Sequence, residues 1–256
     1  MTDAASDRVP RLKAGKHALF LDIDGTLLEH ADHPDAVSVD VELLELLTAL
    51  DECLGGALAF ISGRSIAAID RLFAPLRLCA AGLYGLEHRL HRDGPVVEAK
   101  EPEDIAALAT EMEAEFGSTP GVYFERKGPV LAIHTRAAPD ALSAVRKAAE
   151  TALPRLSIEY RIVVGEAGLE LIPPQAIKSA AIRRFLALEP FAGRRPVFIG
   201  DDTSDESGFE MVNQMGGVSI RVRPKAVTAA RHILADVAAV KAWLRTEVLE
   251  GPADDG

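Results

Sequence analysis

Two carboxylates stand two residues apart in Phe20-Leu-Asp22-Ile-Asp24-Gly-Thr-Leu, directly after the apolar run Ala18 to Leu21. The run reads as a buried strand, and positions i and i+2 of a strand lie on the same side. Both acids therefore face one point beyond the strand's carboxyl end, where open α/β sheets place their ligands. One carboxylate can attack an electrophile and form a covalent intermediate; the other can carry protons. Two anions so close call for a cation, and an all-oxygen ligand set favours Mg²⁺. Gly25 lets the backbone approach an anion, Thr26 adds a hydroxyl donor, and successive N–H groups in such a turn can form an anion nest. This combination suits phosphoryl transfer. The plainer reading, an Asp-Gly turn with solvated acids, stays open on this stretch alone.

Further along the chain, Ser62-Gly63-Arg64 follows the apolar run Ala57 to Ile61, and Ser65 can cap the next helix. A hydroxyl and a glycine at a strand end beside a helix N-terminus can make a phosphate site, to which Arg64 adds a planar, permanently charged donor; taken alone, Ser-Gly after a strand also reads as an ordinary turn. Lys178 falls in the first turn of a helix, against the helix dipole, which suits an anionic partner. Gly200-Asp201-Asp202-Thr-Ser-Asp205-Glu206 puts four acids at another strand end, a costly cluster unless a cation compensates. Helix capping accounts for one or two of them. His30 and His33 have ligand spacing but lie in a polar loop beside a proline, where solvation is the commoner fate.

These groups need a frame. Ala18 to Asp22, Ala57 to Ile61 and Leu78 to Leu83 read as strands. The helical stripe of Val39 to Leu50 and the helix Ile66 to Phe73 separate them, and Leu86 to Leu90 continues as an antiparallel excursion. The pattern is a doubly wound, mainly parallel α/β sheet. The grammar changes near residue 98. Helix Glu103 to Phe116, strands Val122 to Lys127 and Pro129 to Thr135, helix Ala138 to Leu153, and strands Ile158 to Val164 and Leu169 to Ile172 make an αββαββ module ending at Pro173-Pro174. The parallel pattern then resumes with a helix from Lys178, a strand Pro196 to Ile199, a last buried strand Gly217 to Val222, and a C-terminal helix. The expected division is a core of residues 1–97 and 174–256 with an inserted α+β domain over 98–173. In the insert, Tyr123, Glu125 and Lys127 share a strand face opposite Val122 and Phe124, and Glu170 faces away from Leu169 and Leu171. A polar open face of this kind is either ordinary solvated sheet or a hydrogen-bonding surface for a polyol such as a sugar.

Composition narrows the class. A chain of 256 residues with 48% hydrophobic content is that of a folded globular protein. A net charge of −11 repels polyphosphate and excludes non-specific nucleic-acid binding. Cys53 and Cys79 are the two cysteines and read as reduced core residues. The segment Met1 to Lys16 has no apolar signal core, and Leu54 to Ile61 is too short to span a bilayer. The expectation is a cytoplasmic protein without membrane or nucleic-acid partners, monomeric or a weak homo-oligomer, acting on a small molecule.

Asp22-Ile-Asp24-Gly-Thr-Leu, Ser62-Gly-Arg64, Lys178 and Gly200-Asp201-Asp202-Thr-Ser-Asp205 resemble, in order, the four motifs of haloacid-dehalogenase-like phosphatases, and the αββαββ insert resembles the second-type cap of that superfamily. Gly-Leu-Glu87-His88-Arg89, Glu125-Arg-Lys127-Gly, Leu-Ala-Ile-His134-Thr-Arg136-Ala-Ala-Pro139 and Leu-Glu170-Leu-Ile-Pro173 are similar to trehalose-6-phosphate phosphatases. Departures from that family occur at Tyr84, where His is common, at Ser179 after the lysine, and at Ser204 within the acidic motif.

The resemblance implies Asp22 as nucleophile, Asp24 as general acid and base, and Ser62 and Lys178 as phosphate-binding groups, with Gly25, Thr26, Gly63 and Arg64 lining the phosphate. It implies Mg²⁺ held by Asp22, the backbone carbonyl of Asp24 and Asp201, with Asp202 and Asp205 close by. It also implies Glu125, Lys127 and Glu170 on the sugar hydroxyls, brought over the site by cap closure. The implied reaction is hydrolysis of trehalose-6-phosphate through an aspartyl phosphate. A broader sugar-phosphate phosphatase, a phosphosugar mutase, and a non-catalytic sugar-phosphate sensor are the other readings of the same residues.

Overall fold

Strand β1 (His17–Leu21) is buried along its whole length. Its Phe20 ring lies 5.6 Å from that of Phe191 and 6.0 Å from that of Phe185, so aromatic packing covers one side of the strand. The computed structural model describes residues 9–30, 37–165 and 168–249. In chain order β1 is followed by α1 (Val41–Cys53), β2 (Leu58–Ile61), α2 (Ile66–Leu72), β3 (Cys79–Gly82) and β4 (Glu87–Arg89). Asp40 caps α1 by accepting from the N–H of Leu43, and Ser65 caps α2 by accepting from that of Ala68.

Next come α3 (Glu103–Phe116), β5 (Tyr123–Lys127), β6 (Val130–His134), α4 (Leu142–Ala152), β7 (Arg161–Gly165) and β8 (Gly168–Ile172). The chain closes with α5 (Lys178–Leu186), β9 (Arg195–Gly200), α6 (Glu206–Gln214), β10 (Val218–Val222), β11 (His232–Leu234) and α7 (Val237–Leu249). No helix among the described residues is long and apolar enough to cross a membrane.

The strands form two sheets. The first has the order β11-β10-β9-β1-β2-β3-β4, parallel throughout except for β4, which runs antiparallel to β3 at one edge. The second is antiparallel, with the order β5-β6-β8-β7. Contacts divide the chain into two compact units. One is Val97–Ala176, which holds the second sheet with α3 and α4; the other comprises the segments on either side. The insert is therefore a few residues longer than the 98–173 read from sequence: the chain past Pro173-Pro174 stays with the second unit through Ala176.

Local boundaries shift for identifiable reasons. Helix α4 starts at Leu142 because Pro139–Ala141 first winds as a 3₁₀ turn. Strand β10 is not the last of its sheet: the three residues of β11 pair with it in parallel, Ile220 opposite His232, too short a strand to show a periodicity.

Each unit has its own apolar core. In the first, the aliphatic residues of β1, β2 and β9 are buried between helices. In the second, Leu131, Ile133, Leu169 and Leu171 pack against Ile105, Leu108 and Met112 of α3 and Val145 and Ala149 of α4. Directly paired residues share a sheet face. Glu125 pairs with Ala132, and Ala132 with Glu170, so both glutamates, with Lys127 two residues on, lie on the face opposite that helix-covered core.

Candidate active site

Register brings the chemistry together. Leu21 is opposite Phe60 of β2 and Ile199 of β9, so the carboxyl ends of three parallel strands lie side by side. The next residues out carry the functional groups: Asp22 after β1, Ser62 after β2, Asp201 after β9. The N–H of Asp22 donates to the carbonyl of Ile199 at 3.0 Å, which holds the nucleophile candidate at the sheet's rim.

Lys178 is the central cation. Its Nζ donates to Asp22 Oδ1 at 2.8 Å and to Asp205 Oδ1 at 2.6 Å, and all three side chains are buried. It also sits 5.9 Å from the centroid of the Tyr84 ring. Burial alone would lower the lysine's pKa, but the charges of Asp205 and Asp22 outweigh it and raise it. Burial raises Asp22 above the usual carboxylate range, helped by the charges of Asp205 and Asp201 and opposed by Lys178. One ammonium facing three buried or half-buried carboxylates leaves the cluster short of positive charge.

Asp22, Asp201 and Asp205 offer ligand atoms within 4.8 Å of one another. Asp205 is already engaged: beyond Lys178, its Oδ2 accepts the N–H groups of Asp201 and Asp202 at 3.0 and 2.9 Å. It braces the loop. Asp201 Oδ2 lies 3.0 Å from His30 Nε2 and 3.6 Å from an Arg223 guanidinium nitrogen, while Asp201 Oδ1 is buried with no hydrogen-bond partner among the described residues. Buried carboxylate oxygens are normally satisfied. An orphan oxygen beside a second carboxylate, in a cluster short of positive charge, is the donor set a hard divalent cation requires. The residues fit such an ion.

Several of the expected residues have protein partners of their own. Asp202 is exposed and outside that group of three, because the chain turns sharply after Gly200 and sends consecutive side chains apart. Asp24 lies outside that group of three as well. Its two oxygens instead accept a bidentate fork from Arg64 at 2.7 and 2.6 Å. Arg64 is therefore engaged with a carboxylate where a phosphate contact is expected.

The turn after Asp24 is no anion nest. Gly25 N–H donates to Leu28 O and Thr26 N–H to Ile23 O, closing the turn on itself. Thr26 is fully buried, with its hydroxyl 3.5 Å from Asp22 Oδ2, so it orients the aspartate. Gly25 serves by lacking a side chain. Its φ is +76°, and a Cβ there would overlap the Asp201 carboxylate and lie 2.5 Å from His30 Nε2. Gly63 is also needed for close approach: a Cβ would meet the Tyr84 ring at 2.7 Å. Ser62 is buried, and its Oγ accepts the N–H of Arg64 at 3.1 Å, which leaves its own hydroxyl hydrogen to donate.

Three contributors carry weaker sequence signals. Arg221, a charged residue within buried strand β10, reaches the carbonyls of Asp201 and Asp202 and, at 3.0 Å, Glu206, so it fixes the acidic loop. A lone arginine in an apolar run is the trace that could have found it. Arg223, at φ +64°, binds Gly25 O and Glu29. Tyr84 sits in a left-handed pair with Leu83, which no local propensity announces. His30 holds Asp201; His33 lies outside the described residues.

On the second unit, Lys127 Nζ lies 2.9 Å from Glu170 and 3.4 Å from Glu125, and His134 Nε2 lies 3.1 Å from Glu125. Burial would raise Glu125, but the His134 hydrogen bond and the Lys127 charge prevail and hold it down at about 2. Glu125 and Glu170 thus set carboxylate oxygens around one cation, a row able to bind hydroxyl groups.

Comparison with known proteins places these motifs. Residues 20–240 match the trehalose-phosphatase family model. The chain is 45% identical over 207 residues to a probable trehalose-phosphate phosphatase of Sinorhizobium fredii, covering 81% of this chain and 78% of that protein. It is 38% identical over 248 residues to the trehalose-6-phosphate phosphatase of Escherichia coli, covering 95% and 90%. Two solved structures share the fold. The C-terminal domain of a C. albicans trehalose-6-phosphate phosphatase aligns at TM-score 0.78 with 20% identity, covering 93% of this chain and 94% of that one. A haloalkanoate-superfamily phosphatase from Bacteroides thetaiotaomicron aligns at 0.61 with 15% identity, covering 99% of each.

Proposed function

The chain belongs to the trehalose-phosphatase family of phosphoric monoester hydrolases, and on that premise we propose that it hydrolyses trehalose-6-phosphate through a phosphorylated Asp22. The observation that carries this reading is the buried Lys178–Asp22 pair at 2.8 Å beside the unpartnered Asp201 oxygen. It combines a carboxylate fixed for attack with a place for the cation that phosphoryl transfer uses.

In the first step an Asp22 oxygen bonds to phosphorus as the bond from phosphorus to the sugar oxygen breaks. Lys178 holds Asp22 Oδ1, and Oδ2 has, among the described residues, a long contact to Thr26 at 3.5 Å. Asp24 gives the leaving oxygen a proton, then takes one from the water that attacks the aspartyl phosphate; inorganic phosphate departs and Asp22 is restored. Before Asp24 donates, one arm of the Arg64 fork has to release it, and the freed guanidinium has the geometry to bind a phosphoryl oxygen. Ser62 donates its hydroxyl hydrogen to another. A bound Mg²⁺, held by Asp22 and Asp201 with Asp205 bracing the loop, would neutralise charge gathering on the phosphoryl oxygens. The sugar contacts are assigned to Glu125, Lys127 and Glu170, whose carboxylate oxygens and ammonium suit a ring of hydroxyls.

The test is phosphate release from trehalose-6-phosphate, sucrose-6-phosphate, glucose-6-phosphate and mannose-6-phosphate. Trehalose-6-phosphate is expected to have the highest kcat/KM by a wide margin. Equal turnover of glucose-6-phosphate would remove the sugar assignment, and no release from any of the four would remove the phosphatase reading.

A further inference from the structure

We propose that His30 is a positioning residue for the cation site, its imidazole holding Asp201 Oδ2 so that Oδ1 is presented to the ion. The inference rests on the reading of Asp22 and Asp201 as cation ligands. The two oxygens of Asp201 have opposite surroundings. Oδ2 has His30 Nε2 at 3.0 Å and an Arg223 nitrogen at 3.6 Å; Oδ1 is buried and has no hydrogen-bond partner among the described residues. A carboxylate turns freely about its terminal torsion unless one oxygen is held, and ligating carboxylates are oriented by hydrogen bonds from outside the coordination sphere.

His30 is well placed to hold and poorly placed to ligate. Its Nε2 is directed at Asp201 Oδ2, and among the described residues it is not one of the groups whose ligand atoms lie within 4.8 Å of one another. The bond requires a hydrogen on Nε2, so the lone pair a metal would need is absent from that nitrogen. The surrounding turn supports the contact. Gly25 leaves room for both groups where a Cβ would displace them. Arg223 ties the same loop to the site through Gly25 O at 3.2 Å and through Glu29.

The test compares the unsubstituted protein with His30→Leu and His30→Gln. Calorimetric titration with Mg²⁺ alone measures affinity, urea unfolding of the metal-free proteins checks folding, and electron spin-echo spectroscopy of the Mn²⁺-loaded proteins detects any nitrogen bound to the metal. His30→Leu is expected to weaken Mg²⁺ binding by about 10- to 100-fold, the usual effect of losing such a partner. His30→Gln, which can still donate a hydrogen bond, is expected to recover most of that loss. Metal-free unfolding should be closely similar in all three, and no imidazole nitrogen should couple strongly to Mn²⁺. Unchanged affinity in His30→Leu would overturn the proposal, and so would a directly coordinated imidazole in the unsubstituted protein. Absence of divalent-ion binding by the unsubstituted protein would overturn the cation reading itself, and the role of His30 with it.

Discussion

Asp22 and Asp24 are the same residue type two positions apart, yet their surroundings differ, as do the roles proposed for them. Asp22 is buried against an ammonium, and Asp24 is half-exposed in a guanidinium fork. A nucleophile needs one fixed direction of attack, whereas a proton carrier has to exchange with sugar oxygen and water. Replacing each with Asn separates the two roles. Asp22→Asn is expected to form no phosphoenzyme from any substrate. Asp24→Asn should react slowly with trehalose-6-phosphate, because a sugar alkoxide leaves poorly without a proton. It should still be phosphorylated by 4-nitrophenyl phosphate, whose leaving group needs none. Its second step then lacks a general base, a loss of about 10²- to 10⁴-fold. Rapid-quench mass spectrometry should show a burst of nitrophenol with phosphate on Asp22 in Asp24→Asn alone; a burst in Asp22→Asn would reverse the assignment.

Among the elements, the antiparallel sheet β5-β6-β8-β7 carries two consequences. Its polar row is assigned to the sugar, so Glu170→Gln should lower kcat/KM for trehalose-6-phosphate by about 10- to 100-fold, the worth of a hydrogen bond to a charged group. A small aryl phosphate has no disaccharide to hold and should be turned over as before. Equal damage to both substrates would place Glu170 in folding. The row also has a pH signature. Glu125 is held at about 2 in the folded sheet, against 4.5 ordinarily. Between those values the unfolded chain binds more protons, so stability rises with pH across that window. The contribution is complete above about pH 4.5 and is lost as pH falls towards 2. The difference in unfolding free energy between the unsubstituted protein and Glu125→Gln, from urea titrations, should therefore be constant above about pH 5 and shrink below 4.5. A difference that stayed level through acid would mean the His134 and Lys127 contacts do not form in solution.

At the scale of the whole molecule, a cation that binds only the folded protein stabilises all of it. Raising Mg²⁺ to about 100 times its dissociation constant should add about 2.7 kcal/mol to unfolding, read as a rise in Tm that increases with Mg²⁺ concentration. In Asp201→Asn the rise should vanish while metal-free folding persists. An identical Mg²⁺-dependent rise in both proteins would place the ion elsewhere.

Local order determined much of this. The apolar run ending in Asp22, the Ser-Gly after β2 and the acid-rich loop after β9 were legible because strand period, turn chemistry and helix capping act over a few residues. The alternation that sets Glu125, Lys127 and Glu170 on an open face was legible for the same reason, and the paired register agrees with it. Side-chain partners were not legible, because they are chosen across the fold. Arg64 meets Asp24 across 40 positions, Lys178 meets Asp22 across 156, and His30 meets Asp201 across 171. Sequence distance has no bearing on such pairs; the register of three parallel strands does. That register gave Arg64 a carboxylate in place of a phosphate, closed the Gly25 turn on its own carbonyls, and turned Asp202 outward. It also left one oxygen of Asp201 buried without a partner among the described residues, because filling a sheet's rim with acids provides more acceptors than the neighbouring donors can satisfy.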